Sequence, residues 1–339
     1  MKKQFVIGFS LFIIPLLLAG CNPSTQNTQI QDIVELKWQA DGSALFGFMQ
    51  NYIATGTSVI PATGYNIVKF NSDGSLAQTF TTTPKARPDF SNSLYISADG
   101  SAAVTQLEND LYRYTIKTGV LEKLDSLIHL IVVSPDLHYA VSTTSPNIQP
   151  IKTIRLYDIS VSPIQLIKYF DISADAKPGI WLNNGMFGIT VVDSVGRHIA
   201  IYDITGTLRD SIGGAETAFH NVVFNSASND LFVRNWAGKT TDQQVDKINL
   251  DSKTRANVLN FKVENFDVTR DESAIIYSAY DTLHTIHMRS RNLLTSNERA
   301  IADDIRLIIA LSPLQDKLAY IRQRDANFTE VHVIPFIKP

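Results

Sequence analysis

The chain has 339 residues, 44% hydrophobic and 19% charged, with 30 Lys and Arg against 33 Asp and Glu and a formal net charge of −3. That balance excludes a nucleic-acid partner, since no basic run exists to lay along a phosphate backbone. It also excludes extended disorder beyond short tethers, and the single cysteine excludes a disulfide framework.

The chain opens with Met1-Lys2-Lys3, runs apolar from Phe5 to Leu18 and closes on Ala19-Gly20. Charge, apolar run and small residues in that order describe an export signal. As a helix, Phe5 to Gly20 would cover about 24 Å against a hydrocarbon core of about 30 Å, and Pro15 weakens it further, so a permanent span is not expected. Leu18-Ala19-Gly20-Cys21 resembles the lipobox of bacterial lipoproteins. The resemblance implies cleavage after residue 20 and a diacylglyceryl thioether, with further acyl chains such as palmitate, on Cys21. Two or more chains hold a protein stably at a bilayer, at about 0.8 kcal/mol per buried methylene. Residues 21–31 then read as the lipidated cysteine and a polar, uncharged linker, and residues 32–339 as the body. Asn22 is not the Asp that retains some lipoproteins at the inner membrane, so the expected location is the outer membrane, facing the periplasm.

Seven segments of the body repeat one pattern: strand, polar turn, strand. They are VELKWQADGSALFGF, NSLYISADGSAAVTQ, HLIVVSPDLHYAVST, KPGIWLNNGMFGITVV, HNVVFNSASNDLFVR, ENFDVTRDESAIIYS and LIIALSPLQDKLAYI. Their turn residues Asp41, Asp99, Asp136, Asn184, Ala227, Asp271 and Leu314 fall 58, 37, 48, 43, 44 and 43 residues apart. A third strand follows in DLYRYTI, TIRLYDI, HIAIYDI and QVDKINL, and a fourth after turns such as NSDGS. A period near 43 with about four strands per unit predicts an all-β, seven-bladed β-propeller. The turns QADGS, SADGS and SPDLH resemble the WD-like repeats of the Tol-system protein TolB and its relatives, which implies the same fold over residues 33 to 338. The fourth, fifth and seventh units depart from that turn pattern.

An open ring would expose two strand edges. The last unit supplies three strands, and TQIQDIV, Thr28 to Val34, is expected to add its missing outer strand.

Seven residues before each turn marker stand Val34, Asn92, His129, Lys177, His220, Glu264 and Leu307, expected to ring one mouth of the central channel. Five are polar. Asn92, His129, Lys177, His220 and Glu264 form the candidate ligand or substrate site, since imidazole, carboxamide and carboxylate can converge on a metal or a polar substrate. The arrangement loosely resembles that of calcium-dependent lactonase propellers. The bland alternative is that strand starts are polar because they are solvated. His284 and His287 stand three apart in a strand and point to opposite faces, which argues against a shared metal. The chain has no Gly-x-Ser-x-Gly elbow, His-Glu-x-x-His helix or phosphate-cradling glycine loop.

Long connections between second and third strands occupy residues 49–65, 143–153, 235–246 and 322–330. They belong on one face of the disc and carry Tyr52, Trp236, Arg322 and Arg324, residue types suited to protein contacts. Two function classes compete. One is a membrane-tethered, monomeric binding or scaffold module for another envelope protein or a glycan, with no cofactor beyond the lipid on Cys21. The other is a propeller enzyme, hydrolase or lactonase in type, with a metal at the channel mouth.

Overall fold

The structure, a computed structural model, describes residues 28–55, 58–81, 94–107, 110–126, 128–144, 153–171, 177–182, 185–193, 196–213, 219–236, 243–323 and 328–339. Blade 1 comprises β1 (Thr28–Trp38), β2 (Ala44–Thr55), β3 (Ser58–Asn71) and β4 (Leu76–Thr81). Blade 2 comprises β5 (Leu94–Ile96), β6 (Ala102–Leu107), β7 (Asp110–Thr115) and β8 (Val120–Ser126). Blade 3 comprises β9 (Ile128–Val133), β10 (Tyr139–Thr144), β11 (Thr153–Asp158) and β12 (Gln165–Asp171). Blade 4 comprises β13 (Lys177–Leu182), β14 (Met186–Asp193), β15 (Gly196–Asp203) and β16 (Leu208–Gly213). Blade 5 comprises β17 (Phe219–Asn225), β18 (Asp230–Trp236), β19 (Gln243–Asn249) and β20 (Arg255–Leu259). Blade 6 comprises β21 (Asn265–Val268), β22 (Ala274–Tyr280), β23 (Ile286–Asn292) and β24 (Glu298–Asp303). Blade 7 holds three strands: β25 (Ile305–Leu311), β26 (Lys317–Gln323) and β27 (Thr329–Pro335).

Each blade is an antiparallel meander, and the innermost strands neighbour one another around a closed ring in which β1 meets β25. The all-β, seven-bladed propeller expected from the repeats is the fold. First-to-second and third-to-fourth strand turns therefore share one face, the turn face. Second-to-third connections and the starts of the inner strands share the other, the loop face.

One turn recurs between the first and second strands. Gln39 N–H donates to Ala44 O and its carbonyl accepts from Gly42 N–H, both at 2.9 Å, and the same pair of bonds is made at Ser97, Ser134, Thr269 and Ser312. The fourth residue is left-handed each time: Gly42, Gly100, Leu137, Glu272 and Gln315 have φ between 54° and 70°. Asp two residues after the turn's start caps it, as where Asp99 accepts the Ser101 N–H at 3.0 Å and the Ser97 hydroxyl at 2.7 Å. In blade 7 Leu314 replaces that Asp, and Asp316 accepts the Ser312 hydroxyl instead, at 2.8 Å. These bonds hold the Asp99 carboxyl at about 2 and Asp41 below the usual carboxylate range.

Alternation along the strands sends apolar side chains into seven clusters, one per blade interface. Phe46, Phe48 and Ile67 of blade 1 meet Leu94 and Ala103 of blade 2, and Phe266 and Ile275 of blade 6 meet Phe232 and Val245 of blade 5. The seventh cluster joins Ile33, Leu36, Leu45 and Val68 of blade 1 to Ala319 and Ile321 of blade 7. Each fully buried Phe or Ile contributes about 1.5–3 kcal/mol over leaving it exposed.

Closure of the ring differs from the expectation. Residues Thr28 to Asp32 do not complete blade 7. They pair with Ala54 to Gln50 of their own blade, because residues 49–55 and 58–65, within the stretch read as a loop, pair as a β-ribbon that offers them an edge. Strand β1 thus starts within the stretch read as linker. The seam is closed by side chains: the apolar cluster, Ile33 N–H to Thr329 Oγ1 at 2.8 Å, and Trp38 Nε1–H to Ala310 O at 2.9 Å. The turn at Gly74 (φ 87°) lies against the outer edge of β27, and a Cβ there would stand 3.2 Å from Val331 O, so only glycine fits. Past β27, buried Phe336 donates its N–H to Asp316 O at 2.8 Å, and Pro339 O accepts from Asn292 Nδ2 at 3.0 Å, which lays the tail against blade 6.

Candidate functional site

The ring positions sit where the inner strands begin on the loop face. Val34 is in β1, His129 in β9, Lys177 opens β13, His220 is in β17, Leu307 is in β25 and Glu264 immediately precedes β21. Asn92, like Arg324 and Cys21, lies outside the described residues, as do the side chains of His129, Lys177, His220, Leu307, Tyr52 and Trp236. Val34 departs from a channel-mouth role: it is half-buried and packs against the cluster between blades 1 and 2. Arg322 is exposed near the loop-face end of β26, opposite Glu330.

A structural rule unites these positions. The pairing of first and second strands slips between Ile33 and Glu35, Ser142 and Thr143, Pro178 and Ile180, Phe219 and Val222, and Ile305 and Ile309. Five of the seven blades therefore bulge at the loop-face end of the inner strand, and Val34, His220 and Leu307 fall inside those bulges. A bulge bends the strand and re-aims its side chains, a device common at barrel rims and beside binding sites.

Glu264 is held between two basic side chains. Its carboxylate meets Lys262 Nζ at 2.9 Å and Arg234 Nη1 at 3.7 Å, with side chains of Glu264 and Arg234 each 15% exposed. Arg234 Nη1 also donates to Val263 O at 3.2 Å and, closely, to Glu264 O, so one guanidinium from β18 caps the start of β21. Burial pushes the guanidinium down, against the pull of Glu264. The sequence reading missed Arg234 because an arginine in DLFVRNW looks like an ordinary outward-facing strand residue; its alternation with buried Phe232 and Val233 gives no sign that it bridges two blades.

Other acids nearby are also engaged. Glu35 Oε2 accepts the Leu94 N–H at 3.1 Å, and Asp267 Oδ2 accepts the Leu311 N–H at 3.2 Å, each a link from one inner strand to the next. Burial raises the Asp267 carboxyl, with backbone donors and Lys37 opposing. Tyr95 hydroxyl to Ile131 O at 2.8 Å and Trp181 Nε1–H to Val132 O at 2.9 Å extend the same stitching. On blade 6, His287 Nε2 meets Asp281 Oδ2 at 2.9 Å and Nδ1 meets Asp303 Oδ1 at 2.6 Å. Both carboxylates favour the imidazolium and raise its pKa. Among the described residues no group of three or more His, Cys, Asp or Glu side chains is placed to hold a metal ion. A groove of about 60 Å³ beside Arg299, Ile301, Ile334 and Phe336 has room for small solvent molecules only, well short of the roughly 300 Å³ of a small-molecule pocket.

No protein-family profile matches the sequence, and no curated relative does. Solved structures match the fold. An oligogalacturonate lyase in complex with manganese superposes with TM-score 0.66 at 11% identity, over 91% of this chain and 90% of that one. The β-propeller domain of the Trilobed protease from Pyrococcus furiosus, of open velcro topology, gives 0.62 at 10% identity over 90% and 95%. A TolB-type structure from Agrobacterium tumefaciens gives 0.50 at 13% identity over 72% and 90%. These likenesses share the blade architecture, and with it the chain takes its place among seven-bladed β-propellers.

Proposed function

We propose that the chain is a lipoprotein of the bacterial cell envelope, anchored at the outer membrane through Cys21, whose propeller is a monomeric binding or scaffold module for another envelope protein or a glycan. The carrying observation is the one-sided placement of inserted chain. The ribbon of blade 1 stands on the loop face, and so do the strand ends Thr144 and Thr153, Trp236 and Gln243, and Gln323 and Thr329, the second and third strands between which the chain's other long connections run. A fold that hosts lyases and TolB-like proteins alike leaves function to its sites, and on this face Glu264 pairs with Lys262 and Arg234 while Asp281 and Asp303 hold His287 between them. Affinity purification from detergent-solubilised envelope, comparing wild type with a chain whose four connections are shortened, tests this. A wild type that captures no loop-dependent partner ends the scaffold reading.

A second reading is an enzyme of hydrolase or lactonase type with a metal at the channel mouth; it is supported by β9 and β17, the inner strands that carry His129 and His220, beginning on the same face, and by a fold shared with a manganese-bound lyase. Metal bound to the purified chain and lost in His129→Ala, His220→Ala or Glu264→Ala would replace the first reading by this one.

A further inference from the structure

The ribbon of blade 1 is longer than a blade requires. Pairs from Thr28 opposite Ala54 to Asp32 opposite Gln50, and from Tyr52 opposite Pro61 to Thr55 opposite Ser58, continue the sheet past the last pair of β4, Asn66 opposite Thr81. At about 3.3 Å per residue this three-stranded extension runs roughly 15 Å beyond the blade on the loop face. Its composition is unusual for this chain. Residues 42–68 and 22–31 contain no Asp, Glu, Lys or Arg in a protein that is 19% charged, and the ribbon carries Tyr52, Ile53, Val59, Ile60 and Pro61.

The covalent geometry fixes where this extension can be. Cys21 is seven residues from Thr28, so a lipid on Cys21 holds the start of β1 within about 25 Å of the bilayer. Because β1 starts on the extension, the leash leaves from the loop face. The opposite face carries Asp41, Asp73, Asp99, Asp136, Asp158 and Asp203 in its turns, interspersed with Lys117, Arg209, Lys253 and Arg270, a mixed and hydrated charge that the ribbon lacks.

We propose that the three-stranded extension of blade 1 is a membrane foot: it seats in the headgroup layer of the bilayer that holds the anchor and turns the loop face toward that membrane. The proposal rests on the lipoprotein reading. Its occupant is the lipid surface, recognised by a ribbon of aromatic and aliphatic residues whose one charged residue, Asp32, stands at its base, the chemistry that partitions at an interface.

The test uses the full chain, processed in a lipoprotein-competent bacterium and reconstituted in vesicles of phosphatidylethanolamine and phosphatidylglycerol. Incorporation of a palmitate analogue, absent from Cys21→Ala, checks the anchor. An environment-sensitive fluorophore is then placed on the lipidated protein at Ser58→Cys or, on the turn face, at Ser160→Cys. The Ser58 probe is expected to shift blue and to be quenched by brominated lipid, the Ser160 probe to do neither. Ile53→Asp with Ile60→Asp, lipidated as before, should return the Ser58 probe to water. A lipidated protein whose two probes behave alike, or whose Ser58 probe ignores the double substitution, overturns the foot while sparing the anchor. Failure of the palmitate analogue to label Cys21 removes the anchor and the foot together.

Discussion

Replacing Ile321 by Ala tests whether the ring is held by side-chain packing at the seam. Ile321 is fully buried in the cluster shared by blades 7 and 1, beside Leu36, Leu45 and Val68. Ile→Ala in a core costs about 2–5 kcal/mol, the loss of transfer energy plus the cavity left behind. With an unfolding entropy of about 2.1 cal/mol/K per residue over roughly 310 folded residues, that loss lowers Tm by about 3–8 °C. Differential scanning calorimetry of the lipid-free chain reads it directly. Deleting Thr28 to Asp32 is the matched control: those residues pair only within the ribbon, so the deletion should move Tm by less than Ile321→Ala does. The opposite order, with the deletion more damaging, would refute packing closure and restore a shared-sheet seam.

Acid should unfold the protein partly through its turns. Asp99, at about 2 in the folded state against 3.8 ordinarily, contributes stability that is full above about pH 4 and lost as pH falls toward 2. Asp99→Asn, whose side-chain oxygen still accepts the turn N–H, should flatten some of that loss in a plot of Tm against pH. His287 behaves in the opposite sense. Its raised folded pKa gives stability that is complete below the unfolded value near 6.5 and disappears as pH rises through the folded one; an NMR titration midpoint at or below 6.5 would contradict the Asp281 and Asp303 contacts. Arg234→Met removes the cap from two carbonyls and leaves Glu264 beside Lys262 alone, at a cost of about 2–4 kcal/mol by urea denaturation, whereas exposed Arg322→Met should fall within about 0.5 kcal/mol of wild type.

The blades are legible in the sequence because the turn between first and second strands is a local device, with Ser, Thr or (in blade 1) Gln, then Asp, then a left-handed residue within six positions. Where the left-handed residue is glycine, as at Gly42 and Gly100, the signal is plain; at Gly100 a Cβ would also stand 2.5 Å from Gln39 Oε1. Leu137, Glu272 and Gln315 adopt the same conformation with no residue type to announce it, and blade 7 moves the capping acid from position 314 to Asp316. The ribbon of blade 1 escapes sequence reading because Gly64 and Pro61 look like loop punctuation. A sheet that projects from the disc is under no pressure to alternate apolar with polar residues, which is the signal by which strands are recognised. The bulges under Val34, His220 and Leu307 depend on how an inner strand bends against its neighbour, and the Arg234 bridge depends on two blades meeting. Both arise between distant segments, where local pattern carries no information.

The arrangement of β1 also decides how the protein bears load. Tension arriving at Thr28 runs lengthwise along a strand paired with β2 from Thr28 to Trp38, so the interstrand bonds are strained together, in shear. Tension arriving at the carboxyl end would draw first on the tail that folds back over blade 6, where Phe336 and Pro339 are held by independent contacts that can break in succession. The geometry therefore resists a tug at the amino end more than one at the carboxyl end, a polarity that would suit the anchor proposed at Cys21.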